Sequence, residues 1–276
     1  MNALSADFTF SQHSLQDYQE CPRRFELRYI LRQSWPALQS EPVQEYERRA
    51  ELGRRFHRLA CQASLGVPAD RLTLPANEPE LAEWWQAFQQ SAPVQALPPL
   101  RKPEFTMSAP FAGFRLLAKY DLLGIDPGQK AIIIDWKTSG RMPRPSVLAD
   151  RLQTRVYLFL LVEAGKSLNQ GVPWQPVQAS MLYWYASAPE NPIVLTYNPQ
   201  RFTADREYLS GLVREIAARL PGHFEQTADE KKCRFCVYRS LCNRGTQAGA
   251  LDSELEVVES WGGLDAPFDQ IGEVEY

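Results

Sequence analysis

The sequence predicts a mixed α/β domain behind a helical N-terminal cap. Three observations carry this. Between residues 11 and 95 the apolar side chains recur at helical spacing. Three runs between 103 and 137 then read as consecutive strands. After them a helix, a strand and a helix alternate, the order expected when helices cover a sheet. The chain of 276 residues is long enough for a sizeable core. The reading divides it into a domain over 1–245 and an acidic tail over 246–276. The domain comprises a cap at about 11–95, a core at about 100–220 and a cysteine segment at 233–242.

"SLQDYQECPRRFELRYIL" (14–31) reads as an amphipathic helix with Leu15, Tyr18, Phe25, Tyr29 and Ile30 on its apolar side. Pro22, which has no N–H to donate, restarts its turn. A second helix spans 44–66 and stops at Gly66; a third lies near 79–91. "PEFTMSAPF", "FRLLAKYDLLGID" and "KAIIIDWKT" are the strands, with "PGQK" (127–130) turning the second into the third. A helix at about 146–164 carries Leu152, Val156, Phe159 and Leu160 on one face. "VQASMLYWYA" (177–186), an edge strand at about 193–197 and a helix at about 203–220 complete the core.

No run approaches the roughly 20 apolar residues of a membrane span. The opening "MNALSADFTFSQHS" has no basic stretch followed by an apolar one, so a cytoplasmic, reducing setting is expected. The net charge of −3 conceals an asymmetry. Eight acids and no Lys or Arg follow Arg244, which leaves 30 basic against 25 acidic side chains in residues 1–245. The tail reads as a solvated end, or else as an acidic segment that competes with a polyanionic ligand for a basic groove.

"AIIIDWKTSG" concentrates the chemistry. Ala131–Ile134 suit a buried central strand, where Asp135 and Lys137 are out of place unless paired or metal-bound. Two residues apart on a strand, they face the same side. If 114–125 and 130–137 form an antiparallel hairpin, Asp121 approaches Asp135, and two convergent carboxylates repel unless a divalent cation holds them. Such a cation positions water against a phosphodiester, and Lys137 orients that water or neutralises developing charge. An Asp135–Lys137 ion pair at a strand end explains that pair equally well by itself. His57, one of three histidines, is a candidate third ligand. Gln153 and Tyr157, at i and i+4, share a helix face and could meet a phosphate or simply pack. Glu104 is either a further carboxylate on the metal side or an edge salt bridge.

Cys233, Cys236 and Cys242 follow a C-x2-C-x5-C spacing, that of a metal or cluster site lacking a fourth ligand. Cys61, on an apolar helix, reads as a buried, inert thiol.

"GRRFH", "AKYDLL", "IIIDWKT" and "QTRVY" occur in the order of successive motifs of the PD-(D/E)XK nuclease superfamily, and the chain resembles its RecB-type branch from about residue 11 to 244. The resemblance implies a restriction-endonuclease-like core, a central mixed sheet flanked by helices. It implies Mg²⁺ or Mn²⁺ on His57, Asp121, Asp135 and the Trp136 carbonyl, catalysis by Asp121, Asp135 and Lys137, and support from Gln153 and Tyr157. Ala118 stands where the family often has glycine. The resemblance to iron–sulfur members, AddB-type nuclease domains and CRISPR-associated RecB-like exonucleases, supplies the fourth thiol. Cys21 would join Cys233, Cys236 and Cys242 on a 4Fe-4S cluster, closing a loop of over two hundred residues. Tetrahedral zinc suits four thiolates too. Phe235, Tyr238, Arg239, Arg23 and Arg24 are weaker candidates for contact with a DNA strand.

The function expected is a metal-dependent DNA exonuclease acting on single-stranded ends, in repair and recombination or in CRISPR adaptation. The alternative is a non-catalytic DNA-binding or helicase-partner subunit, since no Walker A motif is present for unwinding.

Overall fold

The structure is a computed structural model that describes residues 4–33, 41–72, 74, 77–140 and 142–245, of which 41–47 as backbone alone. The acidic tail lies outside the described residues. The described residues fall into two compact units, a terminal unit within 1–49, 110–116 and 208–276 and a central unit within 50–109 and 117–207.

In the terminal unit, strand β1 (Thr9–Ser11) runs into helix α1 (Gln12–Glu20). The junction is a reciprocal cap: Ser14 N–H donates to Ser11 Oγ at 3.2 Å and Ser11 N–H to Ser14 Oγ at 2.9 Å. Cys21 is extended, and Pro22 opens helix α2 (Pro22–Phe25). The proline cannot prolong α1 but suits a first helical position. A π-helical turn, Glu26–Ile30, continues α2. The expected 14–31 helix is thus three pieces, with Leu27 buried and Ile30 half-buried. Phe25 is at the centre of an aromatic cluster with Phe8, Phe10, Tyr18, Tyr29 and Phe224.

Helix α3 (Glu41–Ser64) enters the central unit and ends ahead of Gly66, whose φ of +85° marks the stop. Helices α4 (Pro79–Gln90) and α5 (Ala92–Gln95) follow. Strands β2 (Leu100–Phe111) and β3 (Phe114–Asp126) are joined by Ala112 and Gly113, both at positive φ, a hairpin-type turn. β4 (Lys130–Lys137) pairs antiparallel with β3, as expected, with Leu122 opposite Ile134 and Asp126 opposite Lys130. Helices α6 (Pro145–Asp150) and α7 (Leu152–Ala164) cross over to β5 (Ala179–Tyr185), which lies parallel to β4. β6 (Ile193–Thr196) is antiparallel to β5, and α8 (Pro199–Ala218) leads out. β2 pairs with β3, so the sheet is mixed and flanked by helices.

The core explains the order. Phe56 of α3 stacks on Trp184 of β5 at 5.7 Å between ring centres, and Phe88 of α4 meets Trp136 of β4 edge-on at 5.2 Å. Three expectations need correction. Residues 146–164 form two helices, because Arg151 is extended and Thr154 Oγ1 donates to the Leu148 carbonyl at 2.6 Å. α7 is buried on almost every side, as a crossover helix under a sheet can be. α8 starts at Pro199, four residues earlier than expected, where Asn198 Oδ1 accepts from Arg201 N–H at 2.8 Å.

Candidate functional site

The carboxylate site gathers where the C-terminal end of β4 lies beside the middle of β3. One step beyond the Leu122–Ile134 pair lie Asp121 and Asp135, brought opposite by the hairpin register. The Trp136 N–H fixes Asp121 by donating to Oδ2 at 2.9 Å. The Trp136 side chain points into the core, so one residue anchors β4 and orients the carboxylate. Asp135 is almost wholly buried. Gln153 Nε2 donates to its Oδ1 at 2.6 Å, and Lys137 Nζ lies 2.9 Å from its Oδ2. Each Asp135 oxygen thus has its own partner, the Gln153 amide on one and the Lys137 ammonium on the other.

The helices bring the remaining groups. The break at Arg151 puts Gln153 in the first turn of α7, reaching both Asp135 and, at 3.4 Å, Lys137. Tyr157 hydrogen-bonds Gln153 and meets Tyr120 edge-on at 5.1 Å, so it supports the site from behind. His57 Nδ1 is 3.4 Å from Asp121 Oδ1. Gly53, one turn earlier on α3, faces the residue after Lys137: a Cβ there would stand 3.3 Å from Thr138 Oγ1. The glycine lets the histidine helix approach the end of β4.

Charge at the site is poorly balanced. Burial raises the Asp135 carboxyl to about 6, and the Asp121 charge adds to this against Lys137. Burial also works against ionised Asp121, yet His57 and the Trp136 N–H hold it below its ordinary value. For His57, burial opposes the charged ring, but Asp121 outweighs it and the net shift is upward. The site draws in positive charge wherever a group can supply it.

A cation fits. Among the described residues, His57, Glu104 and Asp121 offer ligand atoms within 4.8 Å of one another, and Asp135, opposite Asp121 and paired with Lys137, adds a further carboxylate. Glu104 takes the φ of +50° that usually belongs to glycine, a strain of about 1–2 kcal/mol on a side chain that reaches this group. It also pairs with Lys119 at 2.6 Å. Both readings of Glu104, metal-side carboxylate and salt bridge, therefore have a basis. The Asp135–Lys137 ion pair likewise exists inside the larger constellation.

Sequence reasoning missed Tyr183. Parallel register places it beside Asp135, its ring 5.8 Å from Lys137 Nζ and its hydroxyl 2.7 Å from Thr154 Oγ1. Nothing in "LYWY" signals this, because partners across parallel strands are far apart in sequence.

The cysteine site stands in the terminal unit. Cys21, at the α1–α2 junction, lines one pocket with Cys233, Cys236 and Cys242, beside Arg24, Lys232, Tyr238 and Arg239. All four are free thiols. Burial raises Cys233, Cys236 and Cys242, the last to about 11, and the neighbouring thiols raise them further. Buried thiols stay protonated until a metal supplies positive charge. The donor set thus suits a thiolate-bound metal or cluster. Asp17 braces it: Arg24 Nε is 2.8 Å from Asp17 Oδ1, Arg28 pairs with Oδ2 at 2.8 Å, and the Asp17 carbonyl accepts the Cys21 N–H at 2.9 Å.

Several candidates for strand contact turn inward. Phe235, Tyr238, Arg24 and Arg239 are buried around the thiols, where Tyr238 donates to the Gln33 carbonyl and Arg239 to the Cys236 carbonyl. Arg23, more exposed, pairs with Glu26. Cys61 is half-buried rather than buried, its thiol raised by burial and by the charge of Glu104. Among the described residues no helix is long and apolar enough to cross a membrane.

The "Putative exonuclease" from Eubacterium rectale, a crystal structure, has a similar fold, with a TM-score of 0.50 at 10% identity over 92% of both chains. The crystal structure of SSO0001 gives a TM-score of 0.39 at 14% identity over 87% of both. No curated protein matches the sequence. The sequence model of the PD-(D/E)XK nuclease superfamily matches residues 9–243, and the chain belongs to that superfamily.

Proposed function

We propose that the chain is a metal-dependent DNA exonuclease of the RecB-type branch, acting on single-stranded ends and stapled by a 4Fe-4S cluster. The observation that carries the nuclease reading is the convergence of His57, Glu104, Asp121, Asp135 and Lys137 at one end of the sheet. His57, Asp121, Asp135 and the Trp136 carbonyl are the proposed Mg²⁺ or Mn²⁺ ligands, with Glu104 added by its position. A cation held there supplies an activated water and neutralises charge at the scissile phosphate.

The chain's own groups do the rest. Lys137, held between Asp135 and Gln153 beside the ring of Tyr183, presents its ammonium where negative charge develops on phosphorus. Gln153 fixes the rotamers of Asp135 and Lys137 together, and Tyr157 fixes Gln153. Trp136 holds Asp121 through its N–H.

Support for the cluster is the meeting of Cys21 with three cysteines more than two hundred residues away in one pocket. Cubane iron–sulfur and zinc both suit the donors. The resemblance to iron–sulfur nucleases favours the cluster, and with it a role in repair and recombination or in CRISPR adaptation, beside a helicase or adaptation proteins.

The test is cleavage of end-labelled single-stranded DNA by anaerobically purified protein in Mg²⁺, Mn²⁺ or EDTA, beside Asp135→Ala. Metal-dependent shortening that the variant lacks is expected. Intact substrate with folded, cluster-loaded protein would instead favour a DNA-binding or helicase-partner subunit. A colourless protein loaded with zinc would exclude the cluster.

A further inference from the structure

We propose that Lys119 is a substrate-phosphate contact that Glu104 holds in reserve until a cation is bound. The proposal rests on the nuclease reading above. Lys119 lies two residues before Asp121 on β3, so the two side chains leave the same face of the sheet. Its ammonium is 2.6 Å from Glu104 Oε2. The Glu104 carboxylate also lies within 4.8 Å of the ligand atoms of His57 and Asp121. One carboxylate therefore stands between an ammonium and a group of metal-ligating atoms, on a backbone whose left-handed φ of +50° fixes where it points.

The two lysines of the site differ in a way that assigns them different work. Lys137 is 13% exposed and committed to Asp135, Gln153 and the Tyr183 ring. Lys119 is 60% exposed, on a long, flexible stem. When Glu104 turns to a divalent cation, most of its charge is spent on that cation, and its hold on the ammonium weakens. Lys119 then borders a site that has become more positive, with a nearby phosphate as the anion best placed to receive it. Without a cation the ammonium stays with Glu104, and nucleic acid gains little from it. Cation and substrate thus reinforce each other's binding through one shared carboxylate.

Two measurements on the full chain test this. The first is Mn²⁺ binding without DNA, by loss of the free-ion electron spin resonance signal. Lys119→Gln releases Glu104, so Mn²⁺ should bind severalfold more tightly than to wild type, and Lys119→Arg should restore wild-type affinity. The second is the affinity of a fluorescent oligothymidylate across a KCl series, in Ca²⁺ or in EDTA, with the oligonucleotide checked for cleavage. In Ca²⁺, Lys119→Gln should bind about tenfold more weakly, and its salt slope should fall by about 0.7, the loss of one phosphate contact on a single strand. In EDTA the two proteins should bind alike. An equal loss in both media, or no loss in either, would overturn the proposal. Wild type that takes up no Mn²⁺, or Asp121→Ala that takes it up unchanged, would instead remove the cation reading on which the proposal depends.

Discussion

The carboxylate site stands on regular elements, whereas the cysteine site stands on turns. Asp121, Asp135 and Lys137 sit on paired strands, and His57, Gln153 and Tyr157 on helices packed in the central unit. Backbone ladders and a shared core fix these positions, and a network of hydrogen bonds fixes the rotamers. Three of the four thiols come instead from a short 3₁₀ turn, Glu230–Cys233, and the turns after it. Their own apolar cluster is small: Leu27, Cys236 and Tyr238, with Val237 and Cys242 beside them. A site on a sheet can be ordered before its ligand arrives. A site on turns draws more of its order from the ligand itself.

The largest effect that could break this comparison is catalytic. Asp135→Ala should lower metal-dependent cleavage by at least about a thousandfold, as for loss of a group that stabilises transition-state charge. Its melting temperature and iron content should stay near wild type. A variant that unfolds would show the carboxylate to be structural.

Next in size is stability. Cys21→Ala should abolish the cluster's visible absorbance and lower the melting temperature by on the order of 10 °C, taking several kcal/mol at about 2–4 °C each in a chain of this size. Mn²⁺ affinity at the carboxylates should persist. Equal loss of both functions would mean that the sites are not separable.

A third outcome sharpens the carboxylate half. Asp135 titrates at about 6, raised by burial, and His57 is shifted upward by Asp121. Acidification protonates both groups, and neither protonated form ligates a cation. As the pH is lowered, Mn²⁺ affinity should therefore begin to fall above pH 6.5, where the upward-shifted His57 ring takes up its proton, and fall further through about 6, where Asp135 does. Asp135→Asn should weaken binding at neutral pH and flatten this dependence. Calorimetric titration from pH 5 to 8 reads both.

The smallest change concerns fine placement. Gly53→Ala puts a methyl 3.3 Å from Thr138 Oγ1, so α3 or the end of β4 must give by a few tenths of an ångström. Cleavage should drop a few-fold and the fold should persist, with rescue in Gly53→Ala/Thr138→Ala. An unchanged rate would show that the His57 helix has slack.

Much of this was legible from residue order alone. Apolar periodicity marks the helices, and "PGQK" marks the β3–β4 turn. Strand pairing at that turn then brings Asp121 to Asp135 by counting residues. The Asp135–Lys137 spacing dictates a shared face because strands have a period of two. The C-x2-C-x5-C segment announces a metal site whatever the fold. These features are local, or separated by one tight turn, so few chain conformations compete with them.

Tertiary structure decided what depends on distant elements. The break at Arg151 rests on a side chain bonding a carbonyl six residues earlier, which helical periodicity does not register. Tyr183 reaches Lys137 through parallel register, and Glu104 reaches His57 and Asp121 through a backbone twist that favours glycine and not glutamate. Arg24, Tyr238 and Arg239 look from sequence like ligands for a nucleic acid, but the terminal unit buries them around its thiols. The residue types were visible in every case. Which face they took was settled by packing, where the energy of burying one side chain depends on partners that the local sequence does not contain.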